Sequence, residues 1–205
     1  MLSGYIKHGF DEKSFDLFRK LTFSGEMPDG FTFSMILKGS SFQSVISLSK
    51  VMMMPTISTF ASIIGACSVI SSFEVGHQVQ GQLKKTELFM DIKMGSALLG
   101  MYSKCGGTED ARRIFDHMPE RNVFTWTSII DGYGKNGAST EALQLFNRTL
   151  LDPLVKPNYV TFLSAVTACA HAGLVAKGWE IFYCLERDCF IKPRMEHYAC
   201  IWLIS

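Results

Sequence analysis

At 205 residues, 47% of them hydrophobic and 19% charged, the chain has the composition of a folded protein and excludes disorder. Its formal net charge of +1 neither demands nor excludes a nucleic-acid partner, since a local basic face is compatible with it. No apolar run approaches the roughly 18 residues needed to cross a bilayer, so no membrane partner is expected; the six cysteines form no CxxC pair, which argues against a disulfide framework and against a zinc site.

An internal repeat organises the chain. Tyr5, Lys7, Gly9, Ser14 and Phe18 recur at identical spacing as Tyr102, Lys104, Gly106, Ala111 and Phe115, and again as Tyr133, Lys135, Gly137, Ala142 and Phe146. Thr followed by an aromatic marks a second register point, at Thr32-Phe33, Thr59-Phe60, Thr125-Trp126 and Thr161-Phe162. Repeats of this length read as an all-α solenoid of antiparallel helix-turn-helix units. A solenoid offers an extended concave surface instead of an enclosed pocket, which makes binding the default reading over catalysis.

In chain order, 1–29 is the tail of one unit, and 30–56 is a short, degenerate unit that keeps Thr32-Phe33-Ser34 but compresses its second half. Units 57–91, 92–122, 123–158 and 159–194 follow, and 195–205 opens another. Because Leu2 to Phe18 matches Ile130 to Phe146, the N-terminus already lies inside a unit. The expectation is a fragment or an early-truncated gene model, with any targeting segment upstream.

The unit 123–158 is the clearest. Phe124, Trp126, Ile129, Ile130 and Tyr133 fall on one helical stripe. Gly137 is placed to end that helix in the left-handed region. Ser139 or Thr140 then caps a second helix carrying Ala142, Leu143, Phe146 and Leu150 inward. Asp152-Pro153 and Lys156-Pro157-Asn158 close the unit, because proline disfavours helix at itself and just before. Ala111 and Ala142, with Gly76 and Gly178 in the other class of unit, sit where helices approach most closely. Cys67, Cys105 and Cys169 fall in helix-like stretches as small buried hydrophobes. His8, His77, His117, His171 and His197 are scattered over different units and suggest neither a triad nor a metal site, so no catalysis and no cofactor are expected.

These residues resemble the plant pentatricopeptide repeat family, in the subclass that alternates normal, long and short repeats. Ile92 to Gly106 and Asp110 to Asn122 look like its short repeat, and Val123 to Asn158 like its normal one. Ala66-Cys67-Ser68 and Ala168 to Val175 look like long repeats, and Glu196 to Cys200 like the opening of a last short one. The resemblance implies a right-handed superhelix that binds single-stranded RNA sequence-specifically in mitochondria or plastids, in RNA editing or processing, with editing-complex proteins as further partners. It implies no metal in this chain, because the C-terminal extension and the deaminase, with its His-x-Glu and paired cysteines, are not in it.

In that family the fifth and last residues of a repeat read one base. Here the resemblance assigns Ser96 with Asn122, and Thr127 with Asn158, a hydroxyl-plus-amide pair like the one that reads adenine. The second residue of a repeat stacks on the base, which falls on Lys93, Phe124 and Val160; the two apolar ones suit a platform and Lys93 suits a phosphate. Ala61 with Asp91 and Leu163 with Arg194 match no reading pair. Read without the resemblance, Asn122 and Asn158 are better explained as turn residues after Arg121 and Pro157, and Ser96 and Thr127 as solvated helix positions. A tetratricopeptide-like scaffold that binds a peptide is the alternative function, and a truncated product without function is another. Trp126, Tyr133, Ala142, Phe146 and Pro157 suit either solenoid, whereas Ile130 in place of Gly and the uneven unit lengths favour the RNA-binding family.

Overall fold

The computed structural model describes residues 57–204, together with Asp16, Leu17, Lys20 and Ser24. Apart from those four residues, the predicted units 1–29 and 30–56 lie outside the described residues. The described residues are helical throughout their regular structure and contain no strand. None of their helices is long and apolar enough to cross a membrane. The chain divides into two compact units, 1–101 and 102–205.

In the first unit, α1 (Ile57–Ile70) packs on α2 (Phe73–Leu83), and a 3-10 turn at Glu87–Met90 leads to α3 (Ile92–Lys104). Helix α1 buries Phe60, Ile63, Ile64 and Cys67, the spacing of a single inward stripe. Asp91 starts α3: its Oδ1 accepts hydrogen bonds from the backbone N–H of Lys93 at 2.8 Å and of Met94 at 3.2 Å. Gly76 is a close-approach position, as its spacing predicts, because a Cβ there would run into the Met101 thioether.

The second unit holds α4 (Thr108–His117), α5 (Val123–Lys135), α6 (Ser139–Leu151), α7 (Tyr159–Ala172), α8 (Val175–Tyr183) with a π turn at Cys184–Asp188, and α9 (Met195–Ile204). Helices α5, α7 and α9 pack in succession; α4 lies on α5, α6 on α5 and α7, and α8 on α7 and α9. The first helices of successive pairs thus make one layer and the second helices another. The layers are joined by edge-to-face pairs, Phe115 with Trp126 at 4.7 Å and Phe146 with Phe162 at 5.1 Å. Each such pair is worth about 0.5–1.5 kcal/mol beyond its burial. Ala111 and Ala142 are fully buried, as their small size predicts.

The turn between α5 and α6 follows from Gly137, whose φ of 81° is left-handed. It lets the Ala138 N–H reach back to the Tyr133 carbonyl at 2.9 Å, and the same closure recurs from Gly107 to Tyr102, also at 2.9 Å. Other local expectations need correction. Ser139 is the first residue of α6, Ala138 precedes it, and no side chain caps the helix. Leu150 is 37% exposed while Thr149 is buried, its hydroxyl satisfied by the Leu145 carbonyl at 2.8 Å; a threonine that bonds its own helix can replace an apolar residue in the core. Phe124 is 68% exposed, off the stripe formed by Trp126, Ile129 and Ile130. Cys67 and Cys169 are buried within helices, but Cys105 is half-buried in the turn after α3.

Candidate functional site

Helices α5 and α7 approach closely at their far ends, where a Cβ on Gly134 would come within 2.8 Å of Ala168. Between them lies a groove of about 360 Å³, lined by Thr127, Ser128, Asp131 and Lys135 from α5 and by Val160, Leu163, Ser164 and Thr167 from α7. Thr127, Asp131 and Lys135 are one helical turn apart in sequence, so they form a single polar stripe. The Lys135 ammonium donates to Asp131 at 2.7 Å, leaving this wall with one charge of each sign.

Asn158 stands at the entrance to α7 and is its N-cap. Its Oδ1 accepts from the backbone N–H of Val160 at 2.9 Å and of Thr161 at 3.1 Å. The Thr161 hydroxyl returns the bond, accepting from the Asn158 N–H at 3.2 Å, which completes a capping box. Two backbone N–H donors converge on one end of the amide, so that end is the oxygen and the Nδ2 end is turned away from the helix. The Thr161 hydroxyl also lies 2.8 Å from the Thr127 hydroxyl and 3.3 Å from Asn158 Oδ1. Two residues 31 positions apart in the sequence, Thr127 and Asn158, therefore join through a third, Thr161, which is completely buried.

Asn122 repeats the cap at the start of α5. Its Oδ1 accepts from Phe124 N and Thr125 N, both at 3.0 Å, and Thr125 Oγ1 accepts from Asn122 N at 3.0 Å. Here the threonine hydroxyl turns to the Asn122 carbonyl at 2.8 Å. The turn-residue reading of both asparagines is thus correct as far as their oxygens go. In both places the residue just inside the helix, Phe124 or Val160, is exposed while its N–H is held by the asparagine. Ser96 is half-buried and donates to the Ile92 carbonyl of its own helix at 2.7 Å, unlike Thr127, whose bond crosses to another helix. Lys93 is exposed at the start of α3.

A variant of the same clip closes α9. His197, at the place Thr161 holds in α7, is fully buried; its Nδ1 accepts from Arg194 N at 3.1 Å and its Nε2 donates to the Tyr159 carbonyl at 2.8 Å. The Nδ1 partner is a donor, so the imidazole is the Nε2–H tautomer. Arg194 stacks its guanidinium on the Tyr159 ring, 3.5 Å from the centroid. Sequence reasoning used the Thr-aromatic marker only as register and missed what Thr125 and Thr161 do. The signal was present in the Asn-x-x-Thr spacing at both sites.

The PPR repeat family model matches residues 1–25, 96–123 and 124–150. A mitochondrial pentatricopeptide repeat-containing protein of Arabidopsis thaliana is 52% identical over 156 residues, 76% of this chain and 30% of the relative. The chain carries three segments that match the PPR repeat. A second PPR relative from the same plant, a chloroplastic one, is 42% identical over 143 residues, 70% of this chain and 17% of its own length. A third is 35% identical over 201 residues, 98% of this chain and 34% of the relative. The chain spans about a third or less of the curated relatives it matches. Among solved structures, the pentatricopeptide repeat protein PPR10 from maize aligns with a TM-score of 0.67 at 21% identity, covering 98% of this chain and 30% of that one. PPR10 in complex with an 18-nucleotide psaJ RNA element aligns with a TM-score of 0.65 at 17% identity, covering 98% and 31%. The likeness shows that the all-helical fold expected from the repeats is the PPR helical-repeat fold.

Proposed function

We propose that this array binds single-stranded RNA, one base per helix pair, with Thr127 and Asn158 reading one base and Ser96 and Asn122 reading its neighbour. The observation that carries the reading is the hydrogen-bonded link, through Thr161, from Asn158 to Thr127, which lines the groove between α5 and α7. The amide nitrogen of Asn158 is a donor for a base edge, and the short threonine leaves room for a purine. Exposed Phe124 and Val160 offer apolar platforms for the base faces, and Lys93 a cation for phosphate. An array of the same fold has been crystallised with RNA. The alternation of normal, long and short repeats, with boundaries at 57–91, 92–122, 123–158 and 159–194 and partial units outside them, belongs to the same proposal. So does a place in a mitochondrion or plastid, where the relatives are mitochondrial and chloroplastic, and a part in RNA editing or processing alongside editing-complex proteins.

The test is a titration of the purified chain with short single-stranded RNAs that carry two adjacent adenines, two guanines or two uracils. Preferential, salt-sensitive binding of the adenine probe is expected, at modest affinity because each stacked base contributes only about 1–3 kcal/mol. Absence of RNA binding at low salt would remove the proposal.

A further inference from the structure

Resting on the RNA-binding reading above, we propose that Thr161 is a specificity-determining positioning residue: it touches no base, but its hydroxyl welds Thr127 and Asn158 into one recognition unit and fixes which hydrogen-bonding groups that unit presents. The geometry is specific. Asn158 Oδ1 accepts from Val160 N at 2.9 Å, Thr161 N at 3.1 Å and Thr161 Oγ1 at 3.3 Å. An amide oxygen with that many donors has no capacity left, so Asn158 offers a ligand its Nδ2–H donors alone. Without the threonine hydroxyl the amide keeps only its two backbone donors and loses the bond that ties it to α5.

The same hydroxyl governs Thr127. Thr161 Oγ1 already accepts from Asn158 N–H at 3.2 Å, and its single proton has two acceptors, Thr127 Oγ1 at 2.8 Å and Asn158 Oδ1 at 3.3 Å. When Thr161 donates to Thr127, the Thr127 proton is free to donate into the groove. When Thr127 donates to Thr161, the Thr161 proton moves to Asn158 Oδ1 and Thr127 presents a lone pair. The pair can therefore show either two donors, or one acceptor beside one donor. The second pattern matches a base edge that carries a ring-nitrogen acceptor beside an exocyclic amine donor, as adenine does. Selection of that state requires the Thr161 hydroxyl as proton relay. The Asn122 box lacks this coupling within its own unit, because the Thr125 proton goes to the Asn122 carbonyl. The two proposed reading sites consequently differ in how tightly they discriminate.

The experiment compares wild type with Thr161→Val, Thr161→Ser and Thr161→Ala, titrated with two RNA probes that differ by adenine or guanine at the base assigned to Thr127 and Asn158. Valine keeps the shape and removes the hydroxyl; serine keeps the hydroxyl. The wild-type adenine preference is expected to fall about fivefold or more in Thr161→Val, one hydrogen bond's worth, and to persist within about twofold in Thr161→Ser. Thr161→Ala, which suits a helix start better than valine, serves where the valine chain does not fold, with the same expected loss. A merely structural role would lower the melting temperature and the affinity for both probes together and leave their ratio unchanged, and that result overturns the inference. A serine variant that loses the ratio as valine does also overturns it. Failure of wild type to bind either probe refutes the RNA reading itself, whereas wild-type discrimination that survives in Thr161→Val refutes only the relay.

Discussion

Replacing Asn158 separates its two jobs. As a helix cap it satisfies two backbone N–H groups through Oδ1, and as a reader it would present Nδ2 to a base. Asn158→Ala removes both. Loss of an asparagine cap costs about 1 kcal/mol, within a range of about 0.5–2, and for a chain of this size that lowers the melting temperature by about 2–4 °C. Asn158→Asp removes only one. A carboxylate caps as well as an amide, and its charge at a helix N-terminus adds about 0.3–1 kcal/mol in its favour, so the aspartate chain should melt at or slightly above the wild-type temperature. Its outward atom, however, becomes an acceptor where the amide had a donor. Preference at that base should move from adenine toward guanine, whose ring nitrogen carries a proton to donate. Differential scanning fluorimetry and a two-probe RNA titration read the two effects separately. An aspartate variant destabilised as much as the alanine one would show that Oδ1 does not cap; an aspartate variant with unchanged base preference would show that Nδ2 does not read.

His197→Ala should cost about 1–3 kcal/mol, because it strands the Arg194 N–H and the Tyr159 carbonyl that the buried imidazole joins; His117→Ala, at an exposed position bonding only the Arg113 carbonyl of its own helix, should stay within about 0.5 kcal/mol in the same urea titration, and equal effects would refute the clip. Burial pushes the Cys169 thiol up from an ordinary 9.0 to about 11, so as pH rises through that window the unfolded chain gives up this proton before the folded chain does, and stability falls. Cys184, pushed up to about 11 by burial and by neighbouring Cys189, acts in the same direction; Cys169→Ala should therefore reduce, without abolishing, the drop in urea midpoint between about pH 8 and about pH 10.5, and an unchanged drop would contradict the burial of that thiol.

The fold was legible because its signals are local. The left-handed glycines Gly106, Gly137 and Gly173 after α3, α5 and α7, the inward stripe Trp126, Ile129 and Ile130, and the small residues Ala111 and Ala142 each announce themselves within a few positions. Errors arose where two physical demands compete at one position. Phe124 is apolar, yet it stands two residues before the inward Trp126, about 200° away around the helix, and is exposed at the helix start that Asn122 caps. Leu150 is apolar and expected inward, yet Thr149 is buried instead, its hydroxyl satisfied by the Leu145 carbonyl of its own helix. The site was half legible. Thr127 and Asn158 are proposed from register, and the repeat period brings residues about 34 apart onto neighbouring helices, but that the Thr161 hydroxyl would bond both of them is not given by spacing alone.

Turn residue and base reader first stood as competing explanations for Asn122 and Asn158. The geometry makes them compatible, because an amide has two chemically distinct ends and the helix uses only one. The cap then does something for recognition that a freely rotating asparagine could not. A surface amide can turn over and offer either its oxygen or its nitrogen, so it accepts either kind of partner and discriminates poorly. Capping breaks that symmetry: the α7 N–H groups claim Oδ1, and what remains outward is a donor of fixed sign. The same argument applies to Asn122 at α5 and to the Asp91 carboxylate at α3, where capping leaves an acceptor instead. A helix start that must be capped for reasons of backbone chemistry thus supplies, at the starts of α3, α5 and α7, a short polar side chain already oriented and differing in the sign of its outward group. On the proposed reading, the residue that caps the helix and the residue that distinguishes the ligand are then one and the same. Asn-to-Asp exchange can therefore change recognition at nearly constant stability, whereas exchange to alanine must change both.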